Sequence, residues 1–241
     1  MAHHNILSID FDFFQNATAE EVTQYYPDGL DLPTVITEIT WSSHYAFHKE
    51  KLMGIVCDEK KLWQMKQIIR NQKKTIRNRI TQSHLDIYEF ILSAVKPNDT
   101  YTLVNVDLHH DCFNGNQNID CGNWIKHIKT ERPKGDVHWI ARETSATVYK
   151  KMPMQVMYDF DFIKDMQFDM VFLCRSDSWL PPHLDEDFAK LMQTMTNRFF
   201  QTEIDDQIRK PRNMDTVFQL SEEMNAVMIN SAPKMSESRT I

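Results

Sequence analysis

Apolar residues along the chain form short continuous runs, and helical patterns lie between them. The runs are rich in β-branched and aromatic residues and predict buried strands over residues 6–11, 101–106, 137–140 and 170–174. Apolar residues at helical spacing predict helices over residues 60–79, 83–95 and 185–200. Because strands and helices alternate, we predict a three-layer α/β/α fold with a central, mostly parallel sheet.

The pattern weakens after residue 200. We predict one domain over residues 1–200 and a C-terminal extension over residues 201–241, which is partly flexible because it contains Pro211 and ends in a polar tail. Hydrophobic residues make up 41% of the chain and charged residues 25%, and no apolar run approaches the roughly 20 residues that span a bilayer. These proportions predict a globular protein that is not inserted in a membrane.

Several classes of protein are excluded by composition. The N-terminal residues lack the basic stretch and the long apolar region of a secretory signal, which predicts a cytoplasmic protein. The four cysteines are scattered without a C-x-x-C pair, which favours reduced thiols over a zinc site or a disulfide framework. Only five glycines are present, and they form neither a phosphate-binding loop nor a dinucleotide fingerprint.

The formal net charge of -7 argues against nucleic acid as a partner. Residues 60–79 are nevertheless locally basic. We interpret them as the solvated face of a helix, and a groove for an acidic partner is the alternative. The oligomeric state is not predicted.

Two of the predicted strands run directly into ionisable groups. Asp107, His109 and Asp111 follow the strand over 101–106, and Asp10 and Asp12 close the first run. In an extended chain alternate side chains point the same way, so each set should converge. No arginine stands beside these carboxylates in sequence, so their burial requires a compensating cation, and we predict a metal. The alternative is a hydrogen-bonded polar strand end.

These segments resemble the metal-binding motifs of the arginase and deacetylase superfamily. The combination is similar to a small arginase-like family that includes peptide arginases, which convert arginine side chains of ribosomally made precursor peptides to ornithine. The resemblance covers roughly residues 5–185. Ordinary arginases carry the two aspartate motifs in the reverse order, which a circularly permuted sheet would explain. The matching segments are Ser8-Ile-Asp10-Phe-Asp12, Ser83-His84-Leu-Asp-Ile-Tyr88, Asp107-Leu-His109-His-Asp111 and Cys121-Gly-Asn-Trp124.

The resemblance implies a pair of divalent metal ions, for which we predict Mn(2+) because the ligand set is rich in carboxylates, with zinc and iron as the alternatives. It also implies a further histidine ahead of the central motif. His84 fits that place, and His44 and His48 compete for it. The expected reaction is attack of a metal-activated hydroxide on the guanidinium carbon of a peptidyl arginine, with release of urea. The predicted ligands are Asp10, Asp12, His84, Asp107, His109 and Asp111.

Further roles follow from the same resemblance. Asp111 would also orient the hydroxide, and His110 or His127 would carry a proton to the leaving amine. The loop of Cys121, Gly122, Asn123 and Trp124 would contact the substrate. A packed thiol is the preferred interpretation of Cys121, and a core position is the more common place for an indole such as that of Trp124.

The guanidinium-binding residue is less well defined. Arg175 and Asp177 should emerge at the same sheet edge, where Asp177 would receive a guanidinium. An internal pair between the two, or a solvated turn, is the alternative. Phe172 and Leu173 stand where arginases carry a glutamate that clamps this group.

Two other functions remain open. The same metals would serve a deacetylase or another amide or amidine hydrolase, because the metals do not select the substrate. A noncatalytic binding module stabilised by a metal is the second alternative.

Overall fold

The computed structural model describes residues 1–27, 31–114, 117–145 and 152–231. They form seven parallel strands in one sheet, in the order β5-β4-β3-β1-β6-β2-β7. The strands are β1 (His3–Asp10), β2 (Arg77–Thr81), β3 (Thr100–Val106), β4 (Gly135–Ile140), β5 (Gln155–Met157), β6 (Met170–Cys174) and β7 (Glu203–Ile204). The helices are α1 (Ala19–Tyr25), α2 (Thr34–Met53), α3 (Glu59–Arg70), α4 (Asp86–Leu92), α5 (Trp124–Glu131), α6 (Asp185–Arg198) and α7 (Met214–Ser231).

Helices cover both faces of the sheet, which makes the predicted three-layer α/β/α fold correct. One core packs residues of α2, α3, α6 and α7 against one face. A second core packs α4 and α5 against the other. Parallel strands that are buried on both faces need continuous apolar side chains, and β6 is buried along its whole length. This explains why the four predicted strand regions are confirmed as β1, β3, β4 and β6.

The predicted helix over residues 60–79 is wrong in its second half. Helix α3 ends at Arg70, and Arg77–Thr81 forms strand β2 between β6 and β7. Arg77 and Arg79 continue the basic pattern of the helix along the sequence, but both lie in the strand. The Arg77 guanidinium lies over the ring of Phe90, and the Arg79 Nε lies 4.0 Å from a carboxylate oxygen of Glu203. The helices predicted over residues 83–95 and 185–200 are confirmed as α4 and α6.

Residues beyond 200 add to both the sheet and a helix layer. β7 pairs with β2, and α7 packs against α2. The Ser221 hydroxyl donates to the carbonyl of Ser42, and the Asn225 amide donates to that of Ala46. Residues 232–241 of the predicted tail lie outside the described residues, and the division at residue 200 stays a prediction. None of the helices in the described parts of the chain has the length and apolar composition of a membrane-spanning segment.

Candidate metal centre

The predicted ligands come from the carboxyl ends of neighbouring parallel strands, which meet at one edge of the sheet. β1 ends at Asp10, and a short 3₁₀ helix, Phe11–Phe14, carries Asp12 inward. β3 ends at Val106, directly before Asp107. The ligands converge, but not through the predicted extended alternation. Asp10 caps the 3₁₀ helix by accepting from the Asp12 N–H at 3.2 Å, and Asp111 adopts a left-handed conformation with φ 49°.

A first cluster surrounds the imidazole of His84. Its Nδ1 lies 3.2 Å from a carboxylate oxygen of Asp10, 3.2 Å from one of Asp107 and 3.1 Å from one of Asp111. The other ring nitrogen, Nε2, lies 2.8 Å from the Ser8 hydroxyl. His84 is almost fully buried. Asp10, His84 and Asp107 therefore form a group that could hold a cation, and Asp111 adjoins this group through His84.

Of the three candidate histidines, the structure places His84 beside the aspartates, in a group that could hold a metal ion. His84 follows β2, where the Thr81 hydroxyl donates to the carbonyl of Ser83 and tightens the turn. His44 and His48 lie on α2, where their rings face Trp41 and Tyr25. Neither belongs to a group of potential ligands among the residues that the structure describes.

A second cluster surrounds His109. Its Nδ1 lies 2.9 Å from a carboxylate oxygen of Asp12 and 3.8 Å from one of Asp107. Asp107 therefore belongs to both clusters. The His109 side chain is 26% exposed, whereas those of Asp12 and Asp107 are buried. Its ring also lies 4.7 Å from that of Trp179, which is only half-buried. The site is thus closest to solvent at His109.

Surrounding groups orient the ligands. The Trp124 indole N–H donates to Asp111 at 2.6 Å, and the Asn105 amide donates to Asp107 at 3.1 Å. The backbone N–H of His109 donates to the other Asp107 oxygen at 2.7 Å. Trp124 was predicted as a substrate contact, but the structure gives it a supporting role on a buried ligand. Asn105 was missed, although it shares strand alternation with Asp107.

Charges in this centre do not balance. Four carboxylates face two imidazoles. Burial raises the pKa of Asp12 to about 8, with Asp10 and Asp107 adding to the effect. Burial likewise raises the pKa of Asp111, and neighbouring Asp107 adds to it. Burial alone would lower the pKa of His109, but Asp12 and the other carboxylates outweigh it and raise the pKa to about 10. Without another cation, the site holds protons.

This donor set fits divalent metal ions. Aspartate oxygens and imidazole nitrogens form two buried or partly buried groups, Asp10, His84 and Asp107, and Asp12, Asp107 and His109. In each group the ligand atoms lie within 4.8 Å of one another. Carboxylate and imidazole ligands suit several first-row metals. The structure thus places buried aspartates and histidines where they can hold a metal ion.

The residues of the predicted substrate loop form hydrogen bonds and close contacts mostly within their own segment of the chain. Asn123 is buried, its side-chain oxygen accepts from the Asp120 N–H, and its amide donates to the carbonyl of Asn118, both at 2.9 Å. A side chain at Gly122 would approach the Phe113 ring within 3.2 Å. Burial raises the pKa of the Cys121 thiol, and Asp31 adds to this. Cys121 is therefore a half-buried thiol and not a thiolate, which agrees with its interpretation as a packed thiol.

The Asp177 carboxylate is already paired within the protein. It is fully buried, and the guanidinium of Arg175 binds both of its carboxylate oxygens. Arg212 adds bonds of 2.7 and 2.9 Å to Asp185 and donates to the carbonyl of Asp177. A carboxylate oxygen of Asp185 also lies 3.3 Å from a guanidinium nitrogen of Arg175. The structure therefore shows the internal pair of Arg175 and Asp177, which was the alternative. Together with Asp185 and Arg212 this pair forms what we call the arginine–aspartate network.

The two proton-transfer candidates lie outside both clusters. His110 is buried, and its Nδ1 accepts from the Cys112 N–H at 3.0 Å while its ring lies 4.2 Å from that of Phe113. Burial lowers its pKa. His127 lies on α5, one turn beyond Trp124, and is half-buried. Neither is among the potential metal ligands of the described residues.

A rim residue was missed by the sequence prediction. Asp31 is half-buried and accepts a hydrogen bond from Ser83, the neighbour of His84. Burial raises its pKa to about 6, and Asp10 contributes to the rise. The next residue, Leu32, accepts from the Gln82 amide at 2.6 Å and donates to Ser178 at 3.3 Å. Asp31 therefore stands between the loops after β2 and β6, and no local motif in the sequence marks it.

Comparisons of the chain with protein-family models, curated proteins and solved structures found no match. The function is therefore inferred from the centre itself. Its main features are two groups of potential ligands, a shared Asp107 and a shortage of positive charge.

Proposed function

We propose that this chain is a binuclear manganese hydrolase that converts peptidyl arginine to peptidyl ornithine with release of urea. The observation that carries the proposal is the pair of buried Asp/His groups that share Asp107 at the carboxyl edge of the sheet. His84, Asp10, Asp107 and Asp111 would hold one ion, and Asp12, Asp107 and His109 the other. The arginase-like motifs of the sequence supply these same residues.

When bound, two divalent ions would supply Lewis-acid chemistry and would lower the pKa of a water molecule towards neutral pH. The remaining work belongs to the protein. Trp124 fixes one oxygen of Asp111, which we assign to orienting the attacking water. His110 and His127 stay the candidates for delivering a proton to the departing amine.

A cationic substrate is supported by the charge of the site. The carboxylate-rich edge produces a negative field that attracts a guanidinium. Asp31 offers a carboxylate at the rim, and Trp179 offers an aromatic face beside His109. Carboxylates bind guanidinium through charge-assisted hydrogen bonds, and indole rings bind it through cation–π contact. These two residues would bind the guanidinium in place of Asp177, whose carboxylate is paired with Arg175.

One observation favours amide hydrolysis as a second candidate. Phe172 and Leu173 are fully buried in the core, so β6 presents no glutamate to clamp a guanidinium. An acetylated amine needs no such clamp, because it carries no positive charge. The same metal chemistry would then act on an amide carbonyl.

The test incubates manganese-loaded protein with arginine peptides, free arginine and acetyl-lysine peptides. Turnover of peptidyl arginine removes about 42 Da per residue and releases urea, as expected when hydrolysis converts a guanidinium to an amine. Asp107→Asn provides the inactive control. Urea release from free arginine with none from any peptide would contradict the peptide substrate, and acetate release would establish the second candidate.

Recognition of the guanidinium is tested separately with Asp31→Asn and Trp179→Leu. Each should raise KM for arginine peptides while leaving the metal content unchanged, because neither residue belongs to a ligand group. Glu20→Gln, which changes an exposed carboxylate on α1, is the matched control. Unchanged KM in both variants would remove these two residues from substrate binding.

A further inference from the structure

A groove with basic walls lies between α3 and α6, away from the metal centre. Its volume is about 340 Å³. The charged and amide side chains that line it are Lys66, Arg70, Lys190, Gln193, Asn197 and Arg198. No aspartate or glutamate of the described residues lines it. Four cations thus share one groove on a chain whose formal net charge is -7.

Two of these cations lack a partner of their own. Lys66 and Arg70 form no ion pair with the parts of the chain that the structure describes. Burial, together with the neighbouring cations Lys190 and Arg70, lowers the pKa of Lys66 against the opposing effect of Glu59. Like charges are therefore crowded here, and a bound anion would relieve the repulsion.

Arg198 is held in place at one end of the groove. Its Nε donates to the carbonyl of Gln72 at 2.6 Å, and a second nitrogen donates to the same oxygen. At the other end the Lys190 Nζ pairs with a carboxylate oxygen of Asp187 at 2.5 Å and lies 3.8 Å from one of Glu59. The negative charges at this end limit how far a polyanion could extend.

The dimensions match a short extended peptide. Lys190 and Arg198 are eight residues apart on α6, which corresponds to about 12 Å along a helix. An extended chain advances roughly 3.3 Å per residue, so about four residues fit between them. Gln193 and Asn197 are exposed and one turn apart, which suits hydrogen bonding to a peptide backbone. A long nucleic acid fits less well, since acidic residues close one end.

The two helices that wall the groove, α3 and α6, begin near the edge that carries the metal centre, and the groove lies further along them. Helix α3 starts two residues after Cys57, which bridges to Gln15 just beyond the 3₁₀ helix that carries Asp12. Helix α6 starts at Asp185, a member of the arginine–aspartate network. A chain that left the groove past Lys190 would therefore run along the first turns of both helices towards this edge.

We propose that the α3–α6 groove binds an acidic stretch of a polypeptide, about four residues long. This rests on the proposed function only in that the stretch would belong to the substrate, on the same chain as the modified arginine. Remote contacts of this kind increase kcat/KM when they hold the substrate near the metal centre.

The test measures binding of a labelled peptide of alternating glutamate and serine to the full chain by fluorescence anisotropy. Lys66→Glu/Arg70→Glu should weaken binding at least about tenfold, and binding should fall as salt rises. The matched control is Lys96→Glu/Lys126→Glu, which reverses two exposed charges on the α4–α5 side of the sheet and should leave binding unchanged. Circular dichroism verifies that each variant is folded.

Equal binding by the wild type and the α3–α6 variant would overturn the proposal. Displacement of the peptide by an equal concentration of inorganic phosphate would overturn it in favour of a small-anion site. Tighter, Lys66- and Arg70-dependent binding of an oligothymidylate would overturn it in favour of nucleic acid.

Catalysis is tested separately. Asp107→Ala should bind the acidic peptide like the wild type, because the groove lies apart from the metals. Peptide binding without arginine turnover would refute the proposed function alone, and turnover without binding would refute the groove alone.

Discussion

Two groups of buried charged side chains lie at the same edge of the sheet, and their charges are balanced differently. In the arginine–aspartate network, two guanidinium groups meet two carboxylates, and all four residues are nearly inaccessible. In the metal centre, four carboxylates meet two imidazoles. Both groups combine burial with ionisable residues, but only the network is neutral when each group carries its usual charge.

The difference shows which buried charges indicate a ligand. Arginine keeps its proton in proteins, so the network is complete without any external ion. Imidazole charge depends on a proton, and even two protonated imidazoles leave the metal centre short of positive charge. Burial of charge alone therefore does not indicate a bound cation, whereas a shortage of opposite charge favours one.

The largest expected effect is loss of the metals on removal of the shared ligand. Asp107→Ala should reduce the content from about two divalent ions per chain to nearly none, with binding weakened by more than about 100-fold, because it removes an anion from both clusters. Asp10→Ala should act in the same direction. Elemental analysis and hydrolytic activity measure the effect, and Asp136→Ala, which removes an exposed carboxylate on β4, is the control. Unchanged metal content in both ligand variants would end the metal hypothesis.

The network should respond to mutation in stability and not in metal content. Arg212→Met should lower the free energy of unfolding by about 3–5 kcal/mol, because it leaves Asp185 buried with only Arg175 nearby. Denaturant unfolding with and without a chelator measures this loss, which should be the same in both conditions. The double variant Arg212→Met/Asp185→Leu should recover part of it, since Arg175 keeps Asp177. A loss that vanishes when metal is removed would contradict the separation of the two groups.

A smaller effect should distinguish the histidines. His84→Ala should weaken one manganese site roughly 10- to 100-fold, since His84 faces three of the carboxylates. His44→Ala and His48→Ala provide controls on α2. Manganese titration followed by electron paramagnetic resonance resolves the two sites. Selective weakening in His44→Ala would reassign the ligand.

The smallest expected effects come from two indoles that serve the two groups. Trp124→Phe keeps an aromatic ring but removes the N–H that donates to Asp111, so metal affinity should fall about tenfold. Trp41→Phe removes the N–H that donates to the carbonyl of Asp177, so it should lower stability by about 1–3 kcal/mol and leave metal affinity unchanged. Titration and denaturant unfolding of both variants measure the contrast. Equal effects on metal affinity would show that the groups are coupled.

Much of the fold could be predicted from the sequence because the central strands are buried on both faces. β6, Met170–Cys174, is apolar throughout and could be recognised locally. β2 could not, because it lies nearer the edge and uses Arg77 and Arg79 at positions that cover apolar or acidic neighbours. Helix α2 was missed since its buried side includes the polar residues Thr37 and Ser42.

The metal centre could be predicted where ligands lie close together in sequence. Asp107, His109 and Asp111 form such a segment, and their nearness to His84 follows from the parallel arrangement of β2 and β3. The internal pair of Arg175 and Asp177 was an alternative in the sequence prediction, but the rest of the network could not be predicted, because Arg212 lies beyond the predicted domain and binds Asp185. Asp31 could not be predicted because its place depends on contacts between three separate loops.

The position of β1 in the sheet has a consequence for how the protein folds. β1 lies between β3 and β6, so Ile6 pairs with Leu103 on one side and with Met170 on the other. Closing such long loops costs chain entropy before the contacts are gained, and sheets built in this way fold slowly. During synthesis β1 emerges before both of its neighbours, and it can pair with β6 only after residues 170–174 have been made. The carboxylates at its end therefore depend on pairing between segments that lie far apart in the sequence.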